Sequence, residues 1–197
     1  MSRELFNTAG KRLYLTDSER KKFLAAADDE DRLVRSFCYV LAHTGCRLSE
    51  ALQLVGERID FAAGAIVFES LKKRKRGVYR AVPVPPAVLE MLAMVHGLKD
   101  KKKKVAAKKE KSPTLLWEFG RTTAWKKVLA VMKAAGVKGP QATPKGLRHG
   151  FGVAAIQAGI PLNLLQRWLG HAQLTTTAIY ANAVGPEERN IAARMWT

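Results

Sequence analysis

Cysteine is nearly absent from the chain: two thiols, Cys38 and Cys46, occur in 197 residues. Both lie in apolar, helix-like sequence and read as small core residues, so neither a disulfide framework nor a metal spacing is indicated. No run of eighteen or more apolar residues occurs, which argues against a membrane span. The opening stretch MSRELFNTAGKRLYL lacks an apolar signal core and a cleavage site, so the expected location is the cytoplasm. Acids are scarce too. Asp and Glu number 17 against 34 Lys and Arg, a formal charge of +17. The stretch from Lys99 to Lys111 holds eight lysines and two acids, a local +6, and the remainder still carries +11. Basic excess spread this widely points to a polyanionic partner. Charge alone does not choose among DNA, RNA, an anionic membrane surface and ribosomal packing.

What is present is helical periodicity, in a length that suits one domain with or without a small appendage. Residues 1–15 read as a loosely ordered basic leader. Thr16 and Glu19 form a capping-box pattern, and a helix follows to about Ala27 with Phe23 and Leu24 inward. Leu33, Val34, Phe37, Cys38, Val40 and Leu41 recur at helical spacing up to a stop at Gly45. Leu48, Ala51, Leu52 and Leu54 begin another helix. The pattern then changes. Ala65–Phe68 and Val78–Val84 are short strand-like runs around the tip Lys72-Lys73-Arg74-Lys75-Arg76-Gly77, the signature of a β-hairpin with a basic turn. Helices are expected over Ala87–Val95, Thr122–Ala135, Thr143 to about Ala158, Pro161 to Gly170, Leu174–Ala181 and onward from Pro186. Residues 97–113 are low in complexity and read as a solvated loop tolerated within the domain. The expected class is therefore mostly α with a small antiparallel β-sheet.

Four segments carry chemistry: the one around Arg47 and Glu50, the basic hairpin, the one holding Lys145, Arg148 and His149, and the one running from His171 to Tyr180. Each has a bland reading. Arg47 could simply pair with Glu50, Arg148 could be a structural arginine in an apolar helix, and His149 and His171 could be satisfied core histidines. Tyr180 alone is an ordinary helix residue, and a lysine-rich turn is usually just solvated. The combination is less ordinary. Two guanidiniums can clamp the non-bridging oxygens of a phosphodiester bidentately and remain charged at working pH. They would stabilise the charge that grows on those oxygens in the transition state. A tyrosine phenol forms a reversible phosphodiester. Its ordinary pKa is about 10, so nearby cations must help it ionise. A lysine on a hairpin can protonate the leaving 5′-oxygen. No His, Cys, Asp or Glu cluster has metal-ligand spacing, so no metal and no cofactor are expected.

The motifs TGCRLSE, TPKGLRHGFG and LGHAQLTTTAIY, with VPVP after the hairpin, resemble the boxes of the tyrosine recombinase, or phage integrase, family in type, order and spacing. The resemblance runs over about residues 14–184 and implies that family's α+β catalytic-domain fold. It implies that Arg47 and Arg148 bind the scissile phosphate and that Tyr180 attacks it, leaving a 3′-phosphotyrosine and a free 5′-hydroxyl. His171 would hydrogen-bond a non-bridging oxygen or assist proton transfer. Glu50 matches the acid that braces the first arginine, and His149 a position behind the second. Counting back from Val82-Pro83-Val84 puts Lys75 at the general-acid position, with Lys73 and Lys72 close enough to compete. Lys72, Lys73, Arg74 and Arg76 would contact DNA. Lys145 stands where the family usually has His. It is expected to keep an electrostatic role there, since a lysine is no neutral base at pH 7 unless its pKa is depressed.

The resemblance further implies double-stranded DNA as partner, with no membrane, and a nucleoid-associated protein. It implies a homotetramer on paired sites and allows a monomer off DNA. Family members commonly carry an N-terminal clamp domain, whereas about fifteen residues precede the matching region here, as in a fragment or a short recombinase. Residues 16–184 would form the catalytic domain, and 185–197 a C-terminal helix docked on a neighbouring protomer or folded back on its own core. Three competing readings remain: a type IB-like topoisomerase, a non-catalytic DNA-binding regulator on the same fold, and a basic RNA-binding module. For the last, Phe68 and Tyr79 offer thin support as stacking aromatics.

Overall fold

A computed structural model describes residues 5–70, 77–99, 114–182, 192–193 and 195–196. The hairpin tip from Lys72 to Arg76, most of the lysine-rich stretch, and most of the segment from Pro186 lie outside the described residues.

Helix α1 (Asp17–Asp28) starts as its sequence dictates. The Thr16 hydroxyl accepts from the Glu19 N–H at 3.2 Å, and Glu19 accepts from the Thr16 N–H at 2.9 Å. Helix α2 (Arg32–Thr44) is capped by Asp31, whose carboxylate accepts from the N–H groups of Leu33 and Val34. It ends at Gly45, which adopts a left-handed φ of 57°. Val34, Phe37, Cys38, Val40, Leu41 and Ala42 are all buried, and α2 packs against α1, α4 (Pro86–His96) and α6 (Pro144–Gln157). It is the central helix of the larger core.

A short α3 (Leu48–Ala51) leads into a three-stranded antiparallel sheet in the order β1 (Ile59–Asp60), β2 (Ala65–Glu69), β3 (Tyr79–Pro83). The hairpin of β2 and β3 is the expected one, with Phe68 opposite Arg80 and Glu69 opposite Tyr79. Strand β1 is an addition: two residues are too few for a periodic signal. After the lysine-rich stretch the chain returns to the same core. The Leu116 N–H donates to the Leu54 carbonyl, and the buried Trp117 packs edge-on against Phe37 and donates from its indole to Ser36. Helix α5 (Arg121–Ala134) and α6 follow, then α7 (Leu162–Leu169), α8 (Thr175–Ala178) and a 3₁₀ turn (Ile179–Asn182) in place of one helix to Ala181.

A smaller core joins Leu5, Tyr14, Val153, Ala155, Leu165, Leu169 and Tyr180. This corrects the expectation for the leader. Both ends of residues 5–15 are packed down while Thr8, Ala9, Gly10 and Lys11 stay exposed: Phe6 bridges to Arg12, and the Leu15 N–H donates to the Gly146 carbonyl. Arg12 is also paired with Glu19. Leu5, Tyr14 and Leu15 supply enough buried apolar surface to hold the segment, although its basic composition suggested otherwise.

Candidate active site

The site forms where the ends of α2, α6 and α7 meet, and each of its side chains is aimed by local backbone chemistry. Arg47 is the N-cap of α3. Its backbone N–H donates to Glu50 Oε2 at 2.9 Å and its Nη1 donates to Glu50 Oε1 at 2.6 Å. The pairing with Glu50 is therefore present, and it leaves the Arg47 side chain about one-fifth exposed while the Glu50 side chain is fully buried. Burial by itself raises the Glu50 pKa. Arg80 and Arg47 outweigh it and hold the carboxyl below its ordinary value.

Arg148 sits in α6, which begins at Thr143 and Pro144. Its Nη1 donates to the Gly45 carbonyl at 2.7 Å and its Nη2 to the Leu169 carbonyl at 2.8 Å. The same Nη2 lies 3.0 Å from His171 Nε2. Burial and then Arg47 lower the Arg148 pKa to about 10, which still leaves it charged at neutral pH. Because Arg148 can only donate, His171 Nε2 accepts, and its proton sits on Nδ1 facing Thr177 Oγ1 at 2.9 Å. Burial, Arg148 and Arg47 push the His171 pKa down to about 3, so the ring is neutral.

Tyr180 is 1% exposed. Its ring stacks on His171 at 6.4 Å and 8°, and its hydroxyl lies 3.0 Å from His149 Nδ1. Burial raises the Tyr180 pKa to about 12, against an opposing pull from Arg148 and Arg47. His149 is driven down to about 4 by burial, Lys145 and Arg148, so the phenol donates to a neutral imidazole. Gly152 makes this seat possible, since a Cβ there would stand 2.5 Å from the Tyr180 ring.

The structure thus brings together Arg47, Glu50, Arg148, His149, His171 and Tyr180 from sequence positions more than 130 apart. Lys145 lies exposed on the first turn of α6, on the same helix as Arg148. Lys72, Lys73, Arg74, Lys75 and Arg76 belong to the hairpin tip outside the described residues. Two members of the site were not anticipated. Thr177 orients His171, and Arg80 joins Glu50 at 2.6 Å. Arg80 alternates with exposed neighbours on β3, so the strand's period of two was the available signal for it. No comparable cue marked Thr177.

Known proteins resemble this chain in sequence and in fold. The Phage integrase family model matches residues 13–185. The tyrosine recombinase XerA of Pyrococcus furiosus is 30% identical over 174 residues, covering 84% of this chain and 56% of that protein. The chain therefore spans about half the length of the curated relatives it matches. A crystal structure of XerA recombinase superposes with a TM-score of 0.75 at 24% identity, covering 92% of this chain and 64% of the other. The XerH site-specific recombinase bound to a palindromic difH substrate, in a post-cleavage complex, gives a TM-score of 0.69 at 26% identity, covering 96% of this chain and 55% of that one. With a family model spanning nearly the whole chain and the motif residues gathered in one site, this protein belongs to the phage integrase family.

Proposed function

We propose that the chain is the catalytic part of a site-specific tyrosine recombinase, which breaks and rejoins double-stranded DNA through Tyr180. The observation that carries this reading is the contact of Arg148 with His171 at 3.0 Å, with the Tyr180 ring stacked on the same histidine. Arg47 and Arg148 would hold the scissile phosphate, and His171 would hydrogen-bond one of its non-bridging oxygens. The Tyr180 oxygen attacks phosphorus as its proton passes to solvent water, the phosphorus–5′-oxygen bond breaks, and the departing oxygen takes a proton from the hairpin lysine, Lys75. The product is a 3′-phosphotyrosine. Attack by a 5′-hydroxyl from a second strand reverses the step and completes the exchange.

In the free protein Tyr180 is protonated, buried and turned to His149. Attack requires it to leave that seat for a phosphate held by the arginines. DNA would favour the move by bringing a phosphate to Arg148, which has only carbonyls and a histidine as partners, and to Arg47, which is paired with Glu50. Two further elements belong to the proposal: assembly as a homotetramer on paired sites, and residence with the nucleoid. Met195 and Trp196, 79% and 77% exposed, are apolar surface that a neighbouring protomer would cover.

The test is incubation of the full chain with nicked duplexes carrying the DNA that flanks its gene. Wild type should give an SDS-resistant adduct that Tyr180→Phe does not. Joining of the cleaved strand to a second duplex is the recombinase outcome, whereas resealing of the same strand alone indicates a topoisomerase. Tight duplex binding without any adduct would replace the proposal with the non-catalytic regulator. Sedimentation of the adduct at the mass of four protomers on two duplexes would support the tetramer, and one protomer per site would overturn it.

A further inference from the structure

Arg80 is a buried arginine, 6% exposed, that no catalytic motif contains. It stands on the inner face of β3 with its guanidinium 5.2 Å from the centre of the Phe68 ring. Nη2 donates to Glu50 Oε2 at 2.6 Å, Nε donates to the Trp168 carbonyl at 2.7 Å, and Nη1 faces Ser70 Oγ at 3.4 Å. These partners come from α3, from the end of α7, and from the point where β2 leaves for the hairpin tip. A rigid five-donor fork can span three such directions, and an ammonium on a flexible stem cannot. A buried cation is costly unless paired, and Glu50 supplies the counter-charge.

Two features show that the surroundings are arranged around this side chain. Trp168 and Leu169 are consecutive, and their carbonyls take Arg80 and Arg148 respectively. Gly170 follows with a left-handed φ of 65°, and a Cβ there would stand 3.1 Å from Arg80 Cζ. The last turn of α7 thus sets both arginines against one another immediately before His171. On the other side, Glu50 Oε2 receives Arg80 and the Arg47 backbone N–H, and Oε1 receives the Arg47 guanidinium.

We propose that Arg80 is a positioning residue: it holds Glu50, and through Glu50 the Arg47 guanidinium, in register with the Arg148–His171 pair, and ties that frame to the base of the β2–β3 hairpin. Its consequence for catalysis rests on the recombinase reading, while its hold on Glu50 does not. Without Arg80 the buried carboxylate has one guanidinium left. Glu50 then takes up a proton more readily, or draws Arg47 inward onto both oxygens, and either change removes Arg47 from the phosphate. The charged and titratable groups around Glu50 are Arg47 and Cys46 beside α3, Arg80 on β3, and Arg148 on α6; α7 contributes only the Trp168 carbonyl to Arg80.

The experiment pairs a free-protein readout with a catalytic one. Glutamate carboxyl carbons are labelled with ¹³C in the full chain, and the Glu50 signal is identified by its loss in Glu50→Gln. In Arg80→Met the Glu50 titration should move up by about one pH unit or more. On the nicked duplex, Arg80→Met should bind within about twofold of wild type but form adduct about tenfold more slowly. The deficit should deepen as pH falls. The double variant Arg80→Met/Glu50→Gln should be no slower than Glu50→Gln alone, because the two act as one unit. Should Arg80→Met fail to fold, Arg80→Lys serves. It keeps a cation near Glu50 but cannot also reach Trp168, so a near-normal Glu50 titration with slowed adduct formation is expected. An unmoved Glu50 titration in Arg80→Met, or rate losses that multiply in the double variant, overturns the proposal. A wild-type chain that makes no adduct overturns the recombinase reading, and the Glu50 titration still decides whether Arg80 holds that residue.

Discussion

Arg148 illustrates how a buried charge is made tolerable here. Two backbone carbonyls and a neutral histidine accept its hydrogen bonds, so the guanidinium keeps its charge although Arg47 and, less strongly, Arg80 oppose it. The neutrality of the histidines follows from the same arrangement and has a consequence for stability. In the unfolded chain a histidine protonates near pH 6.5, whereas in the folded protein His149 and His171 do so only near about 4 and 3. Between those limits the unfolded chain holds more protons. The stabilisation is therefore complete above about pH 6.5 and is lost as pH falls through about 4 to about 3. Denaturant melts across pH 7 to 4 should show proton uptake on unfolding that falls by about one proton in His149→Gln; a flat profile would contradict the buried, neutral rings. Lys145 acts at this scale as well. It is an exposed cation that helps depress His149, and on the proposed reading it would meet a phosphate. Lys145→Ala should slow adduct formation about tenfold with little loss of stability, as measured by single-turnover cleavage and thermal melting. An unchanged cleavage rate would remove Lys145 from the site.

Helix α6 governs two things at once: where Arg148 points and where Tyr180 rests. Thr143 and Pro144 start it, Arg148 faces the ends of α2 and α7, and Gly152 lies against the Tyr180 ring one turn further on. Gly152→Ala is a sensitive test of that seat, because a methyl group 2.5 Å from the ring must displace it. Overpacking of this kind costs about 1–3 kcal/mol. The expected outcome is a lower melting temperature together with faster nitration of Tyr180 by tetranitromethane, mapped by mass spectrometry against Tyr14. Tyr180 staying as protected as in wild type, with an unchanged melt, would mean that the seat is looser than these distances indicate. The sheet plays a supporting part. Its inner face carries Phe68, Arg80 and Val82, so the strand that leads out of the basic hairpin also reaches the Glu50 carboxylate.

At the scale of the molecule, the proposed recombinase reading and a charge of +17 over 197 residues together imply that DNA affinity would rest on phosphate contacts. Binding to a random duplex should weaken steeply with salt. Replacing the lysines between Lys99 and Lys111 with serine should lower the slope of log K against log salt without abolishing adduct formation on a specific site. An unchanged slope would mean that this stretch does not meet the duplex. Much of the architecture was legible beforehand because its cues are short-range. The Thr16 capping box, the Gly45 and Gly170 helix ends, the apolar spacing of α2 and the β2–β3 hairpin each depend on residues a few positions apart. Arg47, Arg148, His171 and Tyr180 lie far apart in the chain and were legible as a set only through the resemblance of TGCRLSE, TPKGLRHGFG and LGHAQLTTTAIY to the boxes of a known family. What no local cue could supply was decided by residues distant in sequence. The leader is held because Leu5 and Tyr14 find Val153 and Leu165 in the smaller core. Tyr180 rests against His149 rather than open to solvent because α6 offers a glycine beneath its ring. Arg80 belongs to the site because β3 carries it beneath Glu50 and the end of α7, a distance of 30 residues in one direction and 88 in the other. Periodicity and capping are properties of neighbouring residues along the chain. The pairing of a buried charge is a property of whichever groups the packed fold sets beside it.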